Sequence, residues 1–324
     1  MSDSVEVGTR SDVGGRDNNE DACTVLACGP LEVIVLADGA GGHAGGEVAA
    51  QQVVAAVTRY FASAEALRVP VAEAVKAALH AAHRAVRDTM KTSARLRDMR
   101  STALLVVGTA TEAWIGHVGD SRAYLVRDER AERLTRDDSL VQSLTDLGEL
   151  DAEAAKKHSK ANVLIQSMGD PKALEYHVSE PIKVRENDRI IACSDGLWEV
   201  VTDADIGTRA SKGDPADVAD RLVTAAIAAN ASDNVTVGVM HWRSVGERPM
   251  TAKHRIVPPA VAAQRLRKGR RKSRRTEVVV LLVLLAIVAA AFVVRAMRDR
   301  RRSSESSVDP HPAVLLAANV AGYL

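Results

Sequence analysis

Apolar runs bounded by an aspartate in a tight turn recur through the first 240 or so residues, and this constrains the fold more than any other feature. In VIVLADGAGGHAGGE, residues 33 to 47, Asp38 closes an apolar stretch and five glycines follow within eight residues. Glycine costs backbone entropy, so such a loop must need unusual dihedrals or very close approach to the main chain. A phosphate cradle, a dinucleotide turn and a metal held partly by backbone carbonyls all have that need. A phosphate-binding P-loop would end in Gly-Lys-Ser/Thr, whereas this loop runs into Gly45-Gly46-Glu47. Gly39-x-Gly41-x-x-Ala44 fits the dinucleotide spacing, but Asp38 would then set a carboxylate beside a pyrophosphate. The metal reading requires further carboxylates in similar turns. GHVGDSRAY supplies Asp120, IIACSDGLWEVV supplies Asp195, ANASDNVTV supplies Asp233, and SDVGGRDNNEDA carries Arg16, Glu20 and Asp21. Hard divalent cations, Mg²⁺ or Mn²⁺, take oxygen ligands of this kind.

Strand-like runs recur as LEVIVLA, TALLVVGTA, EAWIGHVG, AYLVR, DRIIACS and NVTVGVMHW. Helices are expected over residues 46 to 62 and after Pro70, where Val71, Val75, Leu79, Ala82 and Val86 fall on one face. Two more helical stretches are expected near 139 to 156 and 215 to 230. Strands with helices inserted in blocks favour an α+β sandwich over a doubly wound sheet. Aromatic residues are only 3% of the chain, so the core must be aliphatic. Trp198 and His117 read as packing residues, and the three cysteines lack metal-type spacing.

In order, these segments resemble the motif set of the metal-dependent serine/threonine protein phosphatases of the type 2C class (PPM-type). The match spans about residues 8 to 242: R-x-x-N-E-D from Arg16 to Asp21, A-D-G-x-G-G-H-x-x-G-E from Ala37 to Glu47, V-G-D-S-R from Val118 to Arg122, C-S-D-G-L-W from Cys193 to Trp198, and D-N-x-T from Asp233 to Thr236. The resemblance implies a four-layer α/β/β/α sandwich of two antiparallel sheets flanked by helices. It implies Asp38 as the carboxylate bridging two cations, with the Gly39 carbonyl on one and Asp195 and Asp233 on the other. Asp120 with Asp195 would form a weaker third site, and Glu20 and Asp21 would hold metal-bound waters. Hydroxide bridging two metals would attack the phosphorus of phosphoserine or phosphothreonine in line, with Arg16 gripping the phosphate oxygens. The chain departs from the pattern in having Ala40 after the metal Asp-Gly, Asp138 where members often have His, and Ser159 where Pro is usual. His43 takes the Gly-Gly-His position of bacterial members, and residues 140 to 180 match the variable flap.

The net charge of +1 conceals a division. Residues 265 to 302 carry thirteen Lys/Arg against two acids, while residues 1 to 252 sit near −10. An acidic domain of this kind argues against nucleic acid as partner and is compatible with cations. Residues 278 to 294, VVVLLVLLAIVAAAFVV, contain no polar side chain and as a helix would measure about 25 Å, close to a hydrocarbon core once flanking arginines snorkel. The expected organisation is a phosphatase domain over 1–243, a linker over 244–264, a basic juxtamembrane segment over 265–275, a transmembrane helix over 276–296 and a short tail over 297–324. The expected location is the cell inner membrane, single-pass, with the catalytic domain cytoplasmic. Phosphorylated proteins, a Ser/Thr kinase and anionic lipids are the expected partners. A catalytically silent tethered module on the same fold and a phosphatase of small phosphate esters are the alternatives.

Overall fold

In this computed structural model the structure describes residues 4–41, 45–151, 154, 158 and 163–243. The chain divides into two compact units, Met1–Pro249 and Met250–Leu324, and every described residue lies in the first. No helix among the described residues is long and apolar enough to cross a membrane. The expected span over 276–296 lies outside those residues.

Two antiparallel sheets form the centre. The first runs β1 (Val5–Asp12), β13 (Val235–Trp242), β12 (Arg189–Cys193), β8 (Arg122–Arg127), β9 (Arg130–Arg133). The second runs β10 (His177–Val178), β7 (Glu112–Val118), β6 (Ala103–Gly108), β3 (Leu31–Ala37), β2 (Ala22–Cys28), with β11 (Ile182–Lys183) also on β7. A two-residue pair joins β4 (Gly39–Ala40) to β5 (Arg100–Ser101).

The alternation of side chains along a strand explains why β3, β6 and β12 are apolar at nearly every position. Ile34, Leu36, Leu104, Val106, Ile190 and Ala192 point between the sheets, where they meet Met240 and Trp242. Their neighbours Val33, Val35, Leu105 and Val107 point outward onto α1 (Gly45–Phe61) and α2 (Val71–Met90). On the other outer face Ile191, Val237 and Val239 meet α5 (Asp203–Ala210) and α6 (Pro215–Ala228). Three apolar layers between four structural layers result, and each fully buried aliphatic contributes roughly 1.5–3 kcal/mol. Two shorter α-helices, α3 (Leu140–Asp146) and α4 (Asp195–Trp198), and a 3₁₀ turn over Ala94–Leu96 lie between these elements.

The helices follow their sequence signals. Val75, Leu79, Ala82 and Val86 of α2 are buried, as their spacing predicts. Pro215 opens α6 after Asp214, because its missing N–H is one of the unpaired donors of a first turn. Beyond the six expected strands, the sequence carries no evident signal for β1, β2 and β9 or for the two-residue strands β4, β5, β10 and β11. The expected stretch near 139 to 156 yields α3 at its start, and much of the rest lies outside the described residues.

Candidate metal centre

Strand register carries five acidic residues to one end of the sandwich. Ala22 pairs with Ala37, so Asp21 and Asp38 flank adjacent strand ends. Leu36 pairs with Leu104 and Ala103 with Val118, which sets Thr102 between Asp38 and the Gly119-Asp120 turn. Cys193 pairs with both Arg122 and Val237, bringing Asp120, Asp195 and Asp233 around the matching end of the other sheet.

Hydrogen bonds from hydroxyls, amides and an indole hold this end in shape. The Asp38 amide donates to Thr102 Oγ1 at 2.9 Å, and that hydroxyl pairs with Ser121 Oγ at 2.8 Å. Ser194 Oγ donates to Asp21 Oδ2 at 2.8 Å while accepting the Thr236 amide at 2.9 Å. Asn234, buried before β13, clamps the loop that carries Arg16. Its Nδ2 donates to the carbonyls of Val13 and Asn18, and its Oδ1 accepts the Glu20 amide, each at 2.8 Å. The Trp198 indole donates to the Asp120 carbonyl at 3.1 Å, and the Arg122 guanidinium lies 3.5 Å from the centre of its ring. Trp198 therefore braces the Asp120 turn as well as packing on the core, an extension of the packing role expected for it. His117, buried in β7, is the structural strand residue expected.

The glycines of this loop permit close backbone approach. A Cβ on Gly39 would collide with the backbone carbonyl of Gly46, and one on Gly46 with the Glu20 carboxylate. The first turn of α1 thus lies against β4 at backbone contact, with Glu20 tucked beside it. Gly41 takes φ +129°, a conformation that L side chains rarely adopt.

Electrostatically this end is strained by like charge. Burial raises Asp38 well above the usual carboxylate range, and Asp21, Asp195, Asp120 and Asp233 raise it further. Asp195 is pushed well up by burial and then by Asp120 and Asp233. Burial carries Asp120 up to about 7, with Asp137 adding to the effect. Asp21 rises to about 6 through burial, against the hydrogen bonds from Thr236 and Ser194 that favour its ionised form. Among the described residues, the buried Oδ1 atoms of Asp21 and Asp195 have no hydrogen-bond partner. Buried carboxylates in mutual repulsion with unpaired oxygens fit a multivalent cation, the group that would relieve both costs.

Arg16 is 58% exposed, and its Nη2 meets Asp233 Oδ2 at 2.6 Å. The guanidinium expected to face phosphate thus engages an expected metal ligand in this structure. Among the described residues no three His, Cys, Asp or Glu side chains close into a ready ligand group. Register and mutual charge therefore place Asp21, Asp38, Asp120, Asp195 and Asp233 together as neighbours, with the partly buried Glu20 beside them, rather than as a closed cage. His43 lies outside the described residues. Sequence reasoning singled out the acids and missed Thr102, Ser121, Ser194 and Asn234 as their supports. Three of those four sit inside the quoted motifs, which was the available signal.

Comparison with known proteins follows the same segments. Residues 10–230 match the family model described as Protein phosphatase 2C. The serine/threonine protein phosphatase PstP of Mycobacterium tuberculosis (strain H37Rv) is 34% identical over 240 residues, 72% of this chain and 44% of PstP. The serine/threonine phosphatase stp of Listeria innocua is 30% identical over 210 residues, 63% of this chain and 82% of that protein. The chain therefore spans less than half the length of PstP. A crystal structure of PstP/Ppp superposes with a TM-score of 0.68 at 31% identity, covering 74% of this chain and all of that one. The PstP catalytic domain in complex with two manganese ions gives 0.65 at 31% identity, covering 74% and 99%.

Proposed function

The chain belongs to the protein phosphatase 2C family, and from that premise we propose that it hydrolyses phosphoserine and phosphothreonine in proteins with the help of two divalent cations, Mn²⁺ or Mg²⁺. The observation that carries the reading is the convergence of Asp21, Asp38, Asp120, Asp195 and Asp233 on one end of the sandwich, where the other four each raise the proton affinity of Asp38. Asp38, Asp195, Asp233 and the Gly39 carbonyl would hold the cations, and Asp120 with Asp195 a weaker third. When bound, these ions supply positive charge that acidifies water and offsets the charge of the phosphate.

The chain's own groups do the rest. Arg16 stands at the exposed rim on a loop fixed by Asn234, and its forked donors suit two phosphate oxygens. On substrate binding it exchanges the Asp233 carboxylate for phosphate, which keeps the guanidinium paired throughout and frees an Asp233 oxygen. Asp21, held through Oδ2 by Ser194, keeps Oδ1 available to accept a hydrogen bond from water. The test compares a phosphothreonine peptide with p-nitrophenyl phosphate, each with added Mn²⁺ and with chelator. Faster metal-dependent turnover of the peptide supports the proposal. Preference for small esters would favour a metabolite phosphatase, and no turnover of either would favour a silent module.

The tail enters the same proposal. Eight basic residues over 265–275 precede the apolar run, and five follow it over 295–302, which favours a cytoplasmic N-terminal side. We read this as a tether that keeps an acidic domain beside anionic lipid and beside a membrane-associated kinase whose work it reverses. A chain truncated after residue 245 should keep its kcat and lose membrane fractionation. Retention in the membrane fraction would overturn the tether.

A further inference from the structure

The turn that presents Asp120 is held from two sides, and one side reaches an imidazole at the sheet edge. Gly119 has φ +100°, and a Cβ there would stand 2.7 Å from Thr102 Cγ2. On that flank Thr102 pairs with Ser121 and receives the Asp38 amide. On the opposite flank Asp138 makes a reciprocal bond. Its Oδ2 accepts the Gly119 amide at 2.9 Å, and its own amide donates to the Gly119 carbonyl at 3.0 Å. The remaining oxygen, Oδ1, lies 2.8 Å from His177 Nε2. His177 is on β10, opposite His117 in register, with ring centroids 4.7 Å apart and planes inclined by 19°.

We propose that His177, acting through Asp138, is a positioning residue that fixes the aim of Asp120. The inference rests on the metal-dependent reading above. Asp138 is only 3% exposed, and a buried carboxylate is costly unless its oxygens are paired. His177 supplies the second pairing. With both oxygens engaged, Asp138 has one orientation, so the Gly119 peptide that it grips has one orientation too. Asp120 is the next residue, and the direction of its carboxylate follows from that peptide. His177 itself is 46% exposed, so it can be replaced without opening a core cavity.

The test separates the hydrogen bond from the stacking. His177→Gln keeps a donor and loses the ring over His117, whereas His177→Phe keeps the ring and loses the donor. His177→Ala loses both. Each full-length protein is stripped of metal and titrated calorimetrically with Mn²⁺, and its thermal midpoint is recorded in chelator as a check on folding. Outer-shell partners typically alter affinity by 10–100-fold, so His177→Ala and His177→Phe should weaken the weaker class of Mn²⁺ sites by about tenfold. The tighter class should be unchanged, and His177→Gln should stay within about twofold of wild type on the same scale. Normal binding by His177→Phe with impaired binding by His177→Gln would overturn the proposal in favour of stacking. Identical binding by all three variants would also overturn it, as would loss of both classes together with a lowered midpoint. Absence of Mn²⁺ binding by the wild type would instead remove the metal reading itself, and this inference with it.

Discussion

Replacing Asp120 by Asn should stabilise the metal-free protein at neutral pH while impairing the loaded enzyme. Asp120 is 7% exposed, and its carboxyl is raised from 3.8 to about 7, first by burial and then by Asp137. One pH unit corresponds to about 1.4 kcal/mol, so keeping Asp120 ionised costs the folded metal-free protein on the order of 4 kcal/mol. The Asn amide will be imperfectly hydrogen-bonded there, which returns about 1–3 kcal/mol of that gain. A net stabilisation of about 1–3 kcal/mol remains, or roughly 2–12 °C in Tm for a domain of this size. The sign with pH follows from proton counting. Between 3.8 and about 7 the folded state holds a proton that the unfolded state has released, so wild-type stability falls as pH rises through that window. The advantage of Asp120→Asn is therefore absent below the lower value, grows across the window and is full above the upper one. The depressed His117, which Asp120 does not perturb, is common to both proteins and cancels in the difference, whereas Asp38 and Asp195, which Asp120 raises, are relieved in the variant and add to its advantage. The assay is thermal unfolding of wild type and variant in chelator from pH 4 to 8.5, repeated with saturating Mn²⁺. With metal the wild type should gain the binding free energy of a site that the variant lacks, and the order should reverse. A variant less stable than wild type in chelator at pH 8, or an advantage that grows on acidification, would refute the electrostatic reasoning.

Arg16→Ala should lower kcat/KM on a phosphothreonine peptide by roughly 30- to 1000-fold, the range for a charged contact to a reacting phosphate. Steady-state kinetics at fixed Mn²⁺ checks it, and wild-type values would make Arg16 a surface residue. Asn234→Ala removes three hydrogen bonds of 2.8 Å and should free residues 13 to 20. Limited proteolysis should then cut this loop faster, and KM should rise; unchanged cleavage would remove the clamp from the account.

Much of this domain could be read from its sequence because its central strands are covered on both faces. LEVIVLA and NVTVGVMHW are buried almost throughout, so they appear as largely apolar runs in which Glu32, Asn234, Thr236 and His241 are the polar interruptions. At the sheet edges β1, with Thr9, Arg10 and Ser11, and β2, with Ala22 to Ala27 all partly exposed, lack that contrast, and they form because β13 and β3 offer partners. The two-residue strands β4, β5, β10 and β11 have no local signal at all. The acids were legible because each closes a strand or sits in a turn beside one. Their supports were harder to see. Ser194 and Asn234 act on residues 173 and 214 positions away, and the Asp138–His177 bond spans 39. Such distances are set by register, which no local pattern encodes. The departure at Asp138 was visible as an unexpected residue, but its meaning required the imidazole opposite.

On the proposed function, the clustered carboxylates bind the cations on which phosphate hydrolysis depends. Asp38 tests it most directly, because its repulsion from Asp21, Asp195, Asp120 and Asp233 makes it the common neighbour of the set. Metal-free wild type and Asp38→Asn should be titrated with Mn²⁺ while bound metal and phosphate release from a phosphothreonine peptide are followed on the same samples. Wild-type activity should rise in step with occupancy, and Asp38→Asn should stay folded, lose the tight Mn²⁺ sites and fall by several orders of magnitude in kcat. Full activity in excess chelator, or an Asp38→Asn protein that binds Mn²⁺ and turns over like wild type, would contradict the proposed function.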